Sequence, residues 1–407
     1  MAIDFLEAQT KILDAIKAVN STQIVDTTQA LNKVLAKDII TTKPLPPFNN
    51  SAMDGYAFRY EDINNPLKVV KEVFAGDIQE PILKQNECYK ITTGAKIPDD
   101  ANIVAPKEIC EIKNSQVIVK KPIPKGNAIR LKGEELQKNS TLLKKGELLT
   151  PAKIASLASQ GITKIDTFKE LKIAILSTGN ELKEPHQKAD EFELYNINAI
   201  NIAMHLKQFG FNSNYIGVVP DNLQEATKIV ATLKDYDIII SSGGVSVGEA
   251  DFTKKALLNN GFRELFHGVR VKPGHPVMSG FLDKTFVIAL PGNPLAAILN
   301  LLLLFFPAIF KMQGAKEIFF NPITAKMSKD LKLKPNRVNI VLGEYKDGYF
   351  SAYKDNRYGS GMISPLVNSN AVALFNQNIE YINKDSTIKV VLLNSLNLIE
   401  ENSYLNS

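Results

Sequence analysis

Asp237-Ile238-Ile239-Ile240-Ser241-Ser242-Gly243-Gly244-Val245-Ser246-Val247-Gly248-Glu249-Ala250-Asp251-Phe252-Thr253 is the stretch on which the reading of the fold turns. Its isoleucine run reads as a strand covered on both faces, the texture of a parallel sheet. Gly243, Gly244 and Gly248 then let the backbone turn tightly and approach a ligand with no Cβ in the way. From Phe252 to Leu258 the pattern is helical, so backbone N–H groups and the positive end of a helix dipole lie beside the turn and favour phosphate. Glu249 and Asp251 add carboxylates. Acid beside an anion site points to a divalent cation between them, since Mg²⁺ takes carboxylate and phosphate oxygens. An ordinary glycine-rich turn with a capping Asp is the bland reading; three glycines and two acids within nine residues weigh against it.

Outward from this stretch, strand and helix alternate from Leu171 onward. Lys172 to Leu176 runs into Ser177-Thr178-Gly179-Asn180-Glu181, and Ile200 to Gln208 is helical. Ser213 to Val219 runs into Pro220-Asp221, and Leu223 to Leu233 is helical again. Phe286 to Leu290 ends in Pro291-Gly292-Asn293-Pro294 before a long apolar helix. The alternation predicts a doubly wound α/β domain whose ligand loops gather at one edge of the sheet.

The flanks differ in texture. Residues 4–19 carry Phe5, Ile12, Leu13, Ile16 and Val19 at helical spacings, an amphipathic helix. A second short helix starts at Thr150-Pro151, an N-cap followed by proline. These two helices are expected to pair, making a split helical linker domain (1–40 with 139–170) around an inserted small β domain (41–138). The insert opens on a proline-stiffened loop ending in Asn50-Ser51-Ala52-Met53-Asp54-Gly55-Tyr56-Ala57, which resembles a presented recognition loop more than a linker, an Asp-Gly turn being the bland alternative. It continues as short β-branched runs, one ending in Thr92-Thr93-Gly94. After the α/β domain (171–313) comes a C-terminal β domain (314–396) with an Asp347-Gly348 hairpin signal and a distinctive Arg357-Tyr358-Gly359-Ser360-Gly361, then a tail (397–407).

At 407 residues, 44% hydrophobic and 22% charged, the chain has the composition of a multidomain globular protein. A formal charge of +5, nearly all from lysine with only six arginines, amounts to mild anion affinity and gives no nucleic-acid signature. Cys88 and Cys110 form no disulfide framework or zinc pattern, and the amino terminus has no apolar signal region. A reducing cytoplasm fits these features. Ala296 to Phe310, interrupted by Asn300 and Pro307, falls short of a membrane span and reads as a buried helix.

Five ordered motifs carry a resemblance: the Asn-Ser-Ala-Met-Asp-Gly-Tyr-Ala loop, Ser-Thr-Gly-Asn-Glu-Leu, Ser-Gly-Gly-Val-Ser-Val-Gly-Glu-Ala-Asp-Phe-Thr-Lys, Lys-Pro-Gly-His-Pro and Pro-Gly-Asn-Pro. Together they resemble the MoeA family of molybdopterin molybdenumtransferases, related to the E domain of gephyrin. The resemblance implies a MogA-like α/β domain that binds molybdopterin. It implies an elongated homodimer with sites shared between subunits, Asp54 reaching toward the partner. Adenylylated molybdopterin and molybdate would be the substrates, Mg²⁺ the cofactor, AMP and molybdenum cofactor the products, and an adenylyltransferase the upstream partner. The carried-over catalytic residues are Asp54, Glu181 and Asp251, with Glu181, Asp221 and Asp251 on the metal. Substrate contacts fall to Thr93, Ser177, Gly179, Asp221, Gly243, Gly244, Ser246, Gly248, Lys272, His275 and Ser360, with Pro291, Gly292, Asn293 and Pro294 shaping the pocket.

Three departures from the family pattern stand out. Asn180 replaces the usual Asp, Glu135 lengthens an Asp, and His275 replaces a lysine, weakening the permanent charge near the anion site. Other readings keep the α/β domain but give it different work, namely adenylylation of molybdopterin, CinA-like nucleotide pyrophosphatase chemistry, or a gephyrin-like scaffold. The β insertion and C-terminal domain argue against the first, the Met-Asp-Gly-Tyr-Ala loop against the second, and the lack of added domains with a long linker against the third.

Overall fold

The computed structural model of the chain describes residues 2–77, 82–244 and 252–393, so Ser246, Gly248 and Asp251, like the 397–407 tail, lie outside the described residues. Three six-stranded sheets organise the rest. In the α/β sheet, Ile173–Thr178 lies between Asn214–Val219 and Ile238–Ser242, and the latter pairs with Thr285–Leu290, all parallel. Chain order reverses at Ile173–Thr178, the switch point where α/β sheets open a crevice. Ile173–Thr178, Ile238–Ser242 and Thr285–Leu290 are buried along their whole length, as parallel strands covered by helices must be. Two further strands, Met278–Leu282 and Phe262–His267, extend the sheet antiparallel beyond Thr285–Leu290. The sequence pattern did not reveal this mixed edge.

The long apolar helix runs from Pro294 to Met312 and is almost wholly buried. Length and composition alone would let it cross a membrane; here it is the core of the α/β domain. A π turn, Leu301–Phe305, interrupts it. The cause is Pro307, which has no N–H to give the carbonyl four residues back and would clash with it. The Leu303 carbonyl thereby released accepts from Gln9 Nε2 at 3.4 Å.

Gln9 lies in the first helix, Phe5–Ala15, which buries Phe5, Ala8 and Ile12 in the same core as Leu301 to Phe310. Its expected pairing with the Pro151–Ser159 helix is not what forms. That helix instead buries Leu157 in a separate cluster with Ala30, Leu35, Leu149 and Ile165. An amphipathic face specifies that something apolar must cover it, without specifying which element does. The two halves of the linker are joined by strands, Thr22–Asp26 running antiparallel to Lys164–Phe168. The chain leaves for the β insertion along Ile39–Ile40 and returns beside it along Thr141–Leu143.

In the C-terminal domain five strands close on themselves: Val338–Lys346 pairs with both Tyr349–Ala352 and Ala371–Phe375, and the ring completes through Ile323–Met327 and Thr387–Leu392. The hairpin turn at Asp347-Gly348 has φ of 50° and 82°, the left-handed pair a type I′ turn demands. A short strand from the α/β domain, Val271–Lys272, is added in parallel to Val338–Lys346, with Lys272 opposite Asn339. This graft sets a lysine of one domain beside the cations of another.

Candidate active site

Four loops leave the carboxyl ends of the parallel strands and enclose a cleft of about 910 Å³. Thr178, Gly179 and Glu181 come from the first strand of the domain and Asp221 from the second. Ser242, Gly243 and Gly244 come from the central strand, and Pro291, Gly292, Asn293 and Pro294 from the last. Gly243 and Gly244 have φ of 89° and 65°, and a Cβ on Gly244 would lie 2.4 Å from the Thr253 hydroxyl. Side chains are thus excluded twice, by conformation and by space. The Gly243 N–H donates to the Leu290 carbonyl at 3.0 Å, binding the central loop to the Pro291–Pro294 loop.

Asn198 ties the same loops from below. Its Nδ2 donates to Ser242 Oγ at 2.6 Å and to the Gly292 carbonyl at 2.7 Å. Asn196 caps the helix Ile197–Gln208, accepting from Ala199 N–H, and its Nδ2 donates to the Tyr215 hydroxyl at 2.7 Å and Glu184 Oε1 at 3.2 Å. The Tyr215 hydroxyl in turn donates to Glu184 at 2.5 Å, and burial, followed by the Glu184 carboxylate, raises its pKa far above the usual phenol value. Ser177, expected to touch substrate, is fully buried beneath this network and donates to Asn196 Oδ1 at 3.1 Å. It positions a cap and has no exposed face to offer a ligand.

The two described carboxylates meant for metal, Glu181 and Asp221, both line the cleft. Asn180 makes a reciprocal pair with Asp221: the Asn180 N–H donates to the Asp221 carboxylate at 3.4 Å, and the Asp221 N–H to Asn180 Oδ1 at 3.2 Å. Among the described residues no group of three or more His, Cys, Asp or Glu is placed to hold an ion. Two carboxylates do suit Mg²⁺, which takes one or two from protein and completes its shell with water and substrate phosphate.

Beyond a shared wall of Pro276, Pro291 and Asn293 lies a second pocket of about 310 Å³, lined by Lys272, His275, Arg337, Asn356, Tyr358 and Ser360 among others. It sits between the α/β and C-terminal domains. Burial first, then the charges of Lys334 and Arg337, holds the Lys272 ammonium below the usual lysine range. An opposite charge bound beside these cations would favour the ammonium form again. His275 Nδ1 faces the Val269 carbonyl at 3.0 Å, so Nδ1 donates and the ring is held. Asn293 Nδ2 donates to Ser360 Oγ at 2.9 Å, joining the two domains across the pocket's rim.

Asp54 and Thr93 stand apart from both cavities. The Thr93 N–H and hydroxyl each donate to Asp54 Oδ1 at 2.8 Å, and Lys107 lies 3.6 Å from Oδ2. These bonds, the backbone one first, lower the Asp54 pKa. The pair is an exposed, preset feature of the β domain without a cavity of its own among those described. Sequence reasoning missed Arg337, Asn356, Asn196 and Asn198. The rarity of arginine here, six against a lysine-rich background, was a signal for Arg337, and an Asn before a helix was one for the Asn196 cap.

Comparison with known proteins agrees with this architecture along the whole chain. The MoeA N-terminal region (domain I and II) matches residues 3–161, a probable molybdopterin binding domain 174–311, and the MoeA C-terminal region (domain IV) 324–393. Molybdopterin molybdenumtransferase of Haemophilus influenzae is 32% identical over 398 residues, 96% of this chain and 98% of that one. The Staphylococcus aureus protein of the same name is 30% identical over 310 residues, 74% of each chain. The crystal structure of a molybdopterin biosynthesis moeA protein from Pyrococcus horikoshii superposes with a TM-score of 0.83 at 28% identity, covering 96% of this chain and all of that one. Such likeness spans all the domains rather than the α/β unit alone, and this chain belongs to the MoeA family of molybdopterin molybdenumtransferases.

Proposed function

We propose that this protein transfers molybdenum from molybdate into adenylylated molybdopterin, releasing AMP and molybdenum cofactor. The observation that carries the reading is the pair of adjoining cavities with opposite charge. The larger has glycine-rich loops for phosphate and two carboxylates for a cation. The smaller presents Lys272 and Arg337 to an oxyanion. Their common wall would set an oxyanion next to a pterin dithiolene bound in the cleft, and holding both reactants in place is the main service such a site can give. Glu181 and Asp221 would hold Mg²⁺, which supplies charge neutralisation for cleavage of the adenylyl P–O bond.

Assembly as a homodimer would complete the site. Asp54 and Thr93 are preset by their mutual bonds but line neither of the two cavities among the described residues. Ile200 and Met204, one turn apart on the helix Ile197–Gln208, give the α/β domain an exposed apolar face, and Ile216 of the edge strand Asn214–Val219 is exposed too. A second subunit covering that face would bury apolar surface and could bring its own Asp54 to the carboxylates. The adenylylated substrate requires an adenylyltransferase upstream. Two free cysteines, Cys88 with its thiol pushed up to about 12 by burial, suit a reducing cytoplasm.

The test is AMP release from purified protein given adenylylated molybdopterin, with and without molybdate. Molybdate-dependent release with formation of cofactor is expected. Consumption of ATP with metal-free molybdopterin would instead assign the preceding adenylylation step, and absence of both activities would sink the catalytic reading.

A further inference from the structure

The Pro294–Met312 helix buries one polar side chain, Asn300, fully inside its apolar surroundings. An amide there costs stability unless its groups are bonded. Nδ2 is bonded twice: to the Ala296 carbonyl one turn back at 2.7 Å, and across to the Pro273 carbonyl at 3.2 Å. Oδ1 has no partner among the described residues. Pro273 lies between Lys272 and His275, in the loop that walls the smaller pocket. Gly274 presses on the same amide: its φ is 104°, and a Cβ there would fall 1.9 Å from Nδ2. The loop has been brought down onto the helix until only glycine fits beneath it. The π turn begins at the next residue, Leu301, but Pro307 accounts for that, so the helix itself has no need of Asn300.

We infer that Asn300 is a positioning residue for the anion pocket: its amide clamps the Lys272–Pro276 loop to the core helix and so fixes where Lys272 and His275 meet the oxyanion. This rests on the proposal that the smaller pocket takes molybdate, and the test separates the two. Molybdate affinity is measured by calorimetry on the full chain, and turnover as a function of molybdate, for Asn300→Leu, Asn300→Ala, Gly274→Ala and Lys272→Ala. Gly274→Ala disturbs the clamp from the loop side and leaves the core helix intact, so it stays informative if the Asn300 variants fold badly. The expectation for the Asn300 and Gly274 variants is an affinity loss of about tenfold, the worth of one net hydrogen bond. The molybdate KM should rise in step while kcat at saturation stays within about twofold. A merely structural residue would lower the melting temperature without this split. Should Lys272→Ala lose affinity while Gly274→Ala and any folded Asn300 variant keep it, the clamp is refuted and the pocket stands. Should Lys272→Ala also bind normally, the pocket reading falls and the clamp with it.

Discussion

The two cavities share three wall residues yet are built by opposite means. The larger is the product of one sheet: four parallel strands end at one edge, and their loops are joined by Asn198 and the Gly243–Leu290 bond. Its carboxylates, Glu181 and Asp221, stand on exposed loop tips. The smaller exists only because a two-residue strand, Val271–Lys272, is grafted onto another domain's barrel, bringing Lys272 beside Arg337. A pocket made by a single sheet can be read from its strands; one made by a graft depends on long-range pairing. The contrast also separates charge, acids on one side of Pro291 and bases on the other. A cation in one cavity and an oxyanion in the other would then each be held without neutralising the other's ligands.

Removing the acids should give the largest effect. Glu181→Ala with Asp221→Ala is expected to lower turnover roughly a thousandfold, the scale of several kcal/mol of metal-borne charge stabilisation, while molybdate titration stays at the wild-type Kd. A parallel loss of molybdate affinity would show that the cavities do not act separately. Asp54→Ala should cost about a hundredfold in turnover with an unchanged melting curve, since an exposed side chain leaves no cavity. Mixed with Asp221→Ala, it should recover about one quarter of wild-type activity. Half of randomly exchanged dimers are mixed, and each has one intact site of two. No recovery after verified exchange would place Asp54 outside a shared site.

Lys272→Ala should weaken molybdate binding about ten- to a hundredfold, the equivalent of one charge-assisted hydrogen bond at about 1.5–3 kcal/mol, with kcat preserved. The wild-type pocket should also lose affinity as pH rises. Because the folded protein holds the Lys272 pKa below its ordinary value, the ammonium that binds the anion is present below that lowered value and lost above it. Arg337→Gln removes one of the repelling charges and should move the alkaline limb to higher pH, a shift that titrations at fixed ionic strength would reveal or refute. His275→Lys is expected to have the smallest effect, a two- to fivefold tightening of about the size of an exposed ion pair. Identical affinity in both proteins would remove position 275 from the anion's surroundings.

Much of the larger cleft was legible in the sequence because its signals are local. The isoleucine run, the Gly243-Gly244 turn and the Pro291–Pro294 motif each lie within a few residues, and the structure places them at one edge. The role of Ser177 was misread because burial depends on what packs above a strand end, here Asn196 and Tyr215. Arg337 was missed because nothing near it in sequence announces Lys272, which reaches it by a pairing of two residues across domains. The first helix showed its apolar face, but nothing near it in sequence announces that Leu301 to Phe310 would cover that face. The strands Phe262–His267 and Met278–Leu282 escaped notice because they lie at an antiparallel margin, without the isoleucine run of the centre.

The bond between Gln9 and the Leu303 carbonyl spans 294 residues, and this separation sets the order of events during synthesis. At about 5–20 residues per second, the apolar stripe of Phe5, Ala8 and Ile12 waits roughly 15–60 s before its cover can emerge from the ribosome. Meanwhile the β insertion and the strand pairs that join the two halves of the linker have their partners available and can fold. The α/β core cannot close until Pro294–Met312 is made. Nascent chains halted before residue 294 should therefore leave the first helix open to protease, and chains extended well past residue 312 should protect it; early protection would mean that another surface shelters the stripe first.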